Sequence, residues 1–405
     1  GGRVDCYQFG PGRALSLMKL LVNGTPLLTP LTGIGHYTWQ LCSQMASQPD
    51  IDLLMAYGMR YERGLRMPTH SAAGALQTAG YGLLRRLLPN PRRIKRAVEQ
   101  ARFAWIERQI RRQDYLYHEP NILPLPYAGP TIITLHDLSC FDHPETHPAE
   151  RVEIMHRELP PAIERVDHII VISEATRRAV AQRFGVPDSR MTVTLLAAHP
   201  NFAPRPAASL QAALAKLDLQ PGGYLLSVGT LEPRKNLTTL FQAYSALPDS
   251  LRQRYPLAVV GMPGWHTDQL MSSARQLVER GELRFLGYVD DAVLPLLYAG
   301  AAAFAYPSRY EGFGLPPLEA MASGVPVLVS DVTSLPEVVG DAGVRVGPDD
   351  VDAMRDGLRR LLEDRDYAAQ LAQQGLARAQ GFSWEKCARE TRAVYDHVLR
   401  ARGLA

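Results

Sequence analysis

Eleven short apolar runs recur along this 405-residue chain, and they fall into two series. The first holds KLLVN (19–23), IDLLMAYG (51–58), TIITLHD (131–137), HIIVIS (168–173) and TVTLL (192–196). The second holds YLLSVG (224–229), LAVVG (257–261), LRFLG (283–287), AAFAYPS (302–308), VPVLVS (325–330) and AGVRVG (342–347). Continuous apolar runs, as opposed to alternating ones, predict strands buried on both faces of a parallel sheet. Amphipathic stretches lie between several of them, such as EATRRAVAQRFG, which ends on Gly185 in a C-cap role. Residues 197–221 are rich in Pro and Ala, carry no strand, and form the best linker. The length exceeds what one core usually serves. The pattern therefore predicts an α/β protein of two Rossmann-like domains facing a cleft.

The composition narrows the class. Apolar residues make up 46% and charged residues 21%, which describes a globular chain. Cys6, Cys42, Cys140 and Cys387 form no CxxC pair, which argues against a zinc site or a disulfide framework and fits a reducing compartment. No stretch reaches the roughly 18 uncharged apolar residues of a membrane span. Residues 1–17 have neither the apolar core nor the cleavage site of a signal peptide and read as an extension outside the fold.

The segment PSRYEGFGLPPLEAMASG (307–324) carries the strongest chemistry. It reads as a strand end, a loop, and a helix with Pro316 or Pro317 in its first turn and Gly324 closing it. Such a loop lies at the carboxyl edge of a parallel sheet, where open α/β folds bind ligands. Gly312 and Gly314 admit close backbone approach, and the helix start offers N–H groups to an anion such as a phosphate. Glu319, expected in the first helical turn, suits a ribose diol, and Glu311 a second set of hydroxyls. A capping acid and a solvated loop acid remain the plain alternative. Asp349 and Asp350 precede another helix and read as its N-cap and first-turn acids, so no metal site is expected.

The spacing of Glu311 and Glu319 inside EGFGLPPLEAMASGVPV resembles the hallmark of the retaining glycosyltransferase family four, with the GT-B fold. SVGTLEPRKNL (227–237) is similar to its diphosphate-binding segment, with Arg234 and Lys235 as paired cations. SDVTSLPEVVGDAG (330–343) resembles the segment after the glutamate helix. TPLTGIGHYTWQL (29–41) resembles its first glycine-rich loop, with Gly33 and Gly35, and TLHDLS (134–139) its sugar-contacting His136. The resemblance implies domains at 18–200 and 222–385, with 386–405 crossing back onto the first. It implies a catalytic group of Glu311, His136, Arg234 and Lys235. The donor-binding set is Gly33, Gly35, Arg234, Lys235, Gly312, Phe313, Gly314, Leu315 and Glu319. Two cations and a helix start would neutralise a departing diphosphate without a metal or other cofactor. There are departures: His36 stands where relatives often carry Arg, and LLAAHPNF (195–202) replaces the usual joint sequence.

TGIGHYT, LHDLS and VGMPGW most resemble bacterial mannosyltransferases of surface-polysaccharide assembly, which implies GDP-mannose as donor and a polyprenol-linked or saccharide acceptor. GDP-rhamnose or a UDP-hexose stays open as donor. A nucleotide-sugar epimerase and a non-catalytic nucleotide-sugar-binding protein stay open as functions. An NAD-dependent oxidoreductase built on the GIG turn is disfavoured, because Thr38 occupies the place of the third glycine and Asp52 begins its strand. Residues 60–112 hold 12 Arg and one Lys against Glu62, Glu99 and Glu107, a balance of +10 in a chain of total +3, so the remainder carries −7. A solvated helix face is the plain reading of that segment. The favoured one is docking on an anionic membrane at the cytoplasmic face, where each nearby basic residue contributes about 1 kcal/mol. Nucleic-acid binding finds no motif in support.

Overall fold

The computed structural model describes residues 17–28, 31, 33–57, 60–66, 100–101, 104, 115–265 and 267–404. Most of the basic 60–112 segment, including the expected amphipathic helix, therefore lies outside the described residues, as do residues 1–16 of the expected extension.

The two apolar series form two sheets. The first contains β1 (Met18–Asn23), β2 (Ile51–Tyr57), β3 (Arg60–Arg63), β4 (Leu116–Glu119), β5 (Thr131–Leu135), β6 (His168–Val171) and β7 (Met191–Val193). Its order is β3-β2-β1-β4-β5-β6-β7, parallel except for the edge strand β3. The second contains β8 (Leu225–Val228), β9 (Leu257–Val260), β10 (Leu283–Gly287), β11 (Ala303–Tyr306), β12 (Val327–Ser330) and β13 (Val344–Val346). It is wholly parallel, in the order β10-β9-β8-β11-β12-β13. Strand order reverses between β1 and β4 in one sheet and between β8 and β11 in the other. Crevices outside the carboxyl ends of such pairs are where doubly wound sheets take ligands.

The helix Gly33–Ala46 follows β1 and packs on the C-terminal helix Trp384–Ala401. That last helix belongs to the first domain. Trp384, Cys387, Tyr395 and Val398 are buried in the core that holds Leu20, Val22, Tyr37 and Leu41. Tyr395 Oη lies 2.7 Å from His118 Nδ1, and Arg392 Nη2 lies 2.8 Å from Asp50 Oδ2.

Two local expectations are corrected. Residues 197–221 are not plain linker: Ala207–Ala215 form a helix that buries Leu210 and Leu214 against the second domain. Ala-rich sequence has high helix propensity, and here a partner face is available to bury the leucines. The glutamate helix has Pro316 and Pro317 in its first turn, as expected, but it begins at Leu315, directly after Gly314 with φ 116°. Glu319 therefore sits in its second turn, off the capping position.

Candidate active site

The loop after β11 runs past the end of β8, at the second sheet's reversal point. Here Glu311, 9% exposed, is the centre of a charge cluster. Its Oε1 accepts hydrogen bonds from Lys235 Nζ at 2.6 Å, Ser308 Oγ at 2.5 Å and Tyr306 Oη at 2.9 Å. Arg234 Nη1 lies 3.3 Å from Oε2. Burial pushes the Glu311 carboxyl up, but Lys235 and Arg234 outweigh it and hold the group at about 2. Burial acts on Lys235 in the opposite sense and lowers its ammonium, with Glu311 opposing. A 2.6 Å contact, with the carboxylate accepting from two more hydroxyls, favours the doubly charged pair.

Arg234 and Lys235 are delivered by a 3-10 turn, Pro233–Lys235, whose last carbonyls precede Asn236 in a left-handed conformation. That turn ends the β8 connection and aims both cations across the β8–β11 crevice. Arg234 also donates to Glu232 Oε1 at 2.6 Å and to the Tyr310 carbonyl at 2.6 Å, while its Nε is buried without a hydrogen-bond partner. The sequence placed Arg234, Lys235 and Glu311 at one cleft. The structure joins them directly, with Glu311 paired to both cations.

Glu319 behaves differently. It is partly buried, and burial raises its carboxyl to about 8, with the nearby Asp291 charge adding to the rise. The Tyr298 hydroxyl beside it works the other way but does not offset burial, and Tyr298 Oη has no hydrogen bond of ordinary geometry. One fold thus holds Glu311 ionised and Glu319 protonated at neutral pH, a separation of the kind that lets two carboxyl groups take different roles.

The remaining expected residues divide into two groups. Gly312 and His136 meet across the closed cleft, whereas a Cβ on Gly314 would meet Leu335 of its own domain at 2.8 Å. A Cβ on Gly312 would lie 1.8 Å from the His136 carbonyl oxygen, so the two domains touch at a place only glycine permits. His136 stands edge-on to Tyr37 at 5.1 Å, and its Nε2 lies 2.7 Å from the Pro120 carbonyl. A carbonyl can only accept, so Nε2 carries the proton and Nδ1 is left as an acceptor. Burial lowers its pKa and keeps the ring neutral. Asp137 Oδ1 accepts from Ser139 N and Oγ at 2.9 and 2.7 Å. Burial pushes Asp137 up, but Arg234 from the other domain, the two Ser139 hydrogen bonds and Arg151 together outweigh it and keep the carboxyl low.

Phe313 is buried against Phe382, with ring centroids 5.9 Å apart, so its side chain faces the core and only its backbone faces the loop. Leu315 is packed on that same core. Gly35 sits under Leu31 and the Pro26 carbonyl, at 3.0 and 3.2 Å from a would-be Cβ, which assigns it to packing; Gly33 opens onto free space. Asp350 caps its helix through Ala353 N, as expected, whereas Asp349 pairs with Arg309.

Sequence reading missed Tyr306, Ser308, Tyr298 and the pair Thr333–Ser334. Thr333 Oγ1 accepts from Glu311 N at 3.1 Å, and Ser334 Oγ donates to the carbonyls of Glu311 and Phe313 at 2.9 and 2.7 Å. Tyr306 and Ser308 flank Pro307 just before Glu311, so their place was readable but their direction was not. Among the described residues, no group of three or more His, Cys, Asp or Glu side chains is placed to hold a metal ion.

Comparison with known proteins decides the family. Residues 215–378 match the profile of glycosyl transferases group 1, and residues 31–195 that of glycosyltransferase family 4. The chain is 40% identical, over 93% of its own length and 99% of the other protein, to O-antigen chain mannosyltransferase B of Escherichia coli. This chain belongs to the family-four glycosyltransferases. A further relative is the O-antigen chain mannosyltransferase RfbU of Salmonella typhimurium, 28% identical over 58% of this chain and 62% of that one. Among solved structures, sucrose-phosphate synthase from Thermosynechococcus elongatus superposes with a TM-score of 0.71 at 20% identity, covering 95% of this chain and all of that one. WaaG, a glycosyltransferase involved in lipopolysaccharide biosynthesis, does so at 0.68 and 16%, covering 93% and 99%. These neighbours share the GT-B fold that the family resemblance implied, two Rossmann-like domains as the paired apolar series predicted.

Proposed function

We propose that this glycosyltransferase moves mannose from GDP-mannose, with retention of configuration, onto a lipid-linked or oligosaccharide acceptor during assembly of a bacterial surface polysaccharide. The observation that carries the reading is the Glu311–Lys235–Arg234 cluster at the second sheet's reversal point, in a chain 40% identical to an O-antigen mannosyltransferase.

The chemistry follows from what these groups can hold. The donor diphosphate takes Lys235 and Arg234, including the unpartnered Arg234 Nε, and Glu311 is released to accept hydrogen bonds from sugar hydroxyls. Neutral His136 offers Nδ1 to the same sugar from the other domain. The bond between the sugar's anomeric carbon and the phosphate oxygen breaks, and its electron pair stays with the diphosphate. The two cations stabilise that charge in a site closed to water. The acceptor hydroxyl attacks on the face just vacated and gives its proton to the leaving phosphate oxygen, so configuration is kept and no side-chain nucleophile is needed. Glu319 would bind the ribose diol.

Basic residues 60–112 would bring the first domain to an anionic membrane; no helix among the described residues is long and apolar enough to cross one. Co-sedimentation with phosphatidylglycerol vesicles, lost with neutral vesicles, tests that part.

The test of the donor is a panel of GDP-mannose, GDP-rhamnose, UDP-glucose and UDP-N-acetylglucosamine, followed by calorimetry and by nucleotide release. GDP-mannose alone should bind and be slowly hydrolysed, and Glu311→Ala and Lys235→Ala should impair turnover. Preference for another donor overturns the mannose assignment, and binding of none overturns the transferase mechanism.

A further inference from the structure

We propose that Glu337 is a positioning residue that couples closure of the two domains to the placement of Glu311. Glu337 lies in the short helix Leu335–Val339 of the second domain. Its carboxylate crosses the cleft to the start of the first-domain helix Glu174–Phe184, where Oε1 accepts from Glu174 N at 3.0 Å and Oε2 from Ala175 N at 3.3 Å. The next amide, Thr176 N, is taken by Ser173 Oγ of the same helix at 3.0 Å. The three leading N–H groups of this helix are thus satisfied, two of them by a residue that arrives only when the domains close. A carboxylate at a helix start gains both charge-assisted hydrogen bonds and the favourable end of the helix dipole.

The same short helix holds the catalytic loop. Thr333 and Ser334, immediately before it, bind the Glu311 amide and the Glu311 and Phe313 carbonyls. Arg378 fixes the helix to its own domain, donating Nε to the Val338 carbonyl at 3.0 Å and Nη2 to the Glu337 carbonyl at 2.6 Å. On the far side, Thr176 Oγ1 donates to the Gly312 carbonyl at 3.3 Å. The Glu311 loop is therefore gripped from its own domain by residues 333–334. From the other domain it is gripped by the same helix start that Glu337 engages. With the domains apart, Glu337 and both amides return to water and the Thr176 contact is lost. Closure then organises the loop on both sides, and Glu337 supplies the charged part of that grip. Its distance in sequence from Glu311, and its absence from the cation cluster, separate it from the groups that touch the donor.

The test compares the full chain with Glu337→Ala and Glu337→Gln. Residue-resolved hydrogen exchange on the unliganded chain should show faster exchange at Glu174 and Ala175 in Glu337→Ala, with Thr176 unchanged because its acceptor is local. Donor turnover should fall about tenfold or more in kcat, the scale of losing two hydrogen bonds to a charged group. Calorimetric binding of GDP should stay within about twofold. Glu337→Gln, whose amide oxygen still accepts, should recover part of kcat. Unchanged exchange at Glu174 and Ala175 refutes the contact. Faster exchange with wild-type kcat refutes the coupling, and loss of GDP binding in step with thermal stability reduces Glu337 to a structural role. The exchange measurement needs no donor, and the kcat comparison runs with whichever sugar nucleotide the wild type turns over, so failure of the GDP-mannose assignment is a separate result.

Discussion

Replacing Glu311 by Gln should weaken the free protein and strengthen its response to a diphosphate, and the structure sets the size of both effects. The carboxyl is held at about 2 against an ordinary 4.5, so the surrounding cations favour its ionised form by about 3 kcal/mol after burial is counted. The sign follows from a depressed folded-state value. The contribution is complete above about 4.5 and is lost as pH falls towards about 2. Glu311→Gln removes the charge and leaves Lys235 and Arg234, side chains 13% and 12% exposed, without it. Breaking one side of a buried pair costs about 3–5 kcal/mol. For a domain of this size, a loss of about 3 kcal/mol lowers Tm by roughly 6–12 °C. The abandoned cations are also relieved of a competitor. GDP, whose diphosphate restores negative charge between them, should raise the Tm of Glu311→Gln more than that of the wild type, while turnover is abolished. Differential scanning fluorimetry at pH 7, with and without GDP, reads both numbers. An unaltered Tm, or a GDP-induced rise no larger than in the wild type, would refute the claim that Glu311 and the phosphates share one pair of cations.

Three further outcomes follow from particular contacts. Glu319, raised to about 8, binds its proton more tightly when folded, so its contribution is full below about 4.5 and is lost as pH rises through about 8; Glu319→Gln should flatten the decline of Tm between pH 5 and 8.5, and parallel curves would contradict the raised value. Gly312→Ala places a methyl group on the His136 carbonyl across the cleft. The clash is relieved by opening, so small-angle scattering should show a larger radius of gyration and turnover should fall about 100-fold or more, with the unfolding transition of each domain retained. Tyr395→Phe removes the hydroxyl 2.7 Å from buried His118 Nδ1, and urea denaturation should show a loss of about 1–3 kcal/mol.

The strands were legible because their residues are apolar and buried on both faces, and that one property survives any tertiary context. β4 escaped for the converse reason. Its LYHE looks half polar, yet His118 and Glu119 are 0% and 1% exposed. His118 is bonded at both ring nitrogens, to Tyr395 and to Thr134 Oγ1 at 2.8 Å, and Glu119 accepts from Asn23 Nδ2 and Tyr117 Oη at 2.9 and 2.6 Å. Polar residues become core when distant partners satisfy them, and a single sequence does not display those partners. The site divides the same way. Arg234, Lys235 and Glu311 sit at strand ends, which hydrophobic pattern locates. That they bind one another, that Glu319 falls in the second helical turn, and that burial keeps it protonated all depend on where Gly314 turns the chain and what closes over it.

The last helix, Trp384–Ala401, has a consequence for how the molecule is made. Its Trp384, Cys387, Val394, Tyr395 and Val398 complete a core whose other walls, Leu20, Tyr37 and Leu41, are synthesised before the whole second domain. While the ribosome is still translating the second domain, the first has its sheet but lacks this wall, and buried His118 lacks its tyrosine. The nascent first domain must therefore wait, with an apolar trough open, through the whole production of its neighbour. A stop codon just before Trp384 would strand it there, so loss of this helix should damage the domain that begins at Met18, and holdase chaperones should bind the stalled chain at that domain.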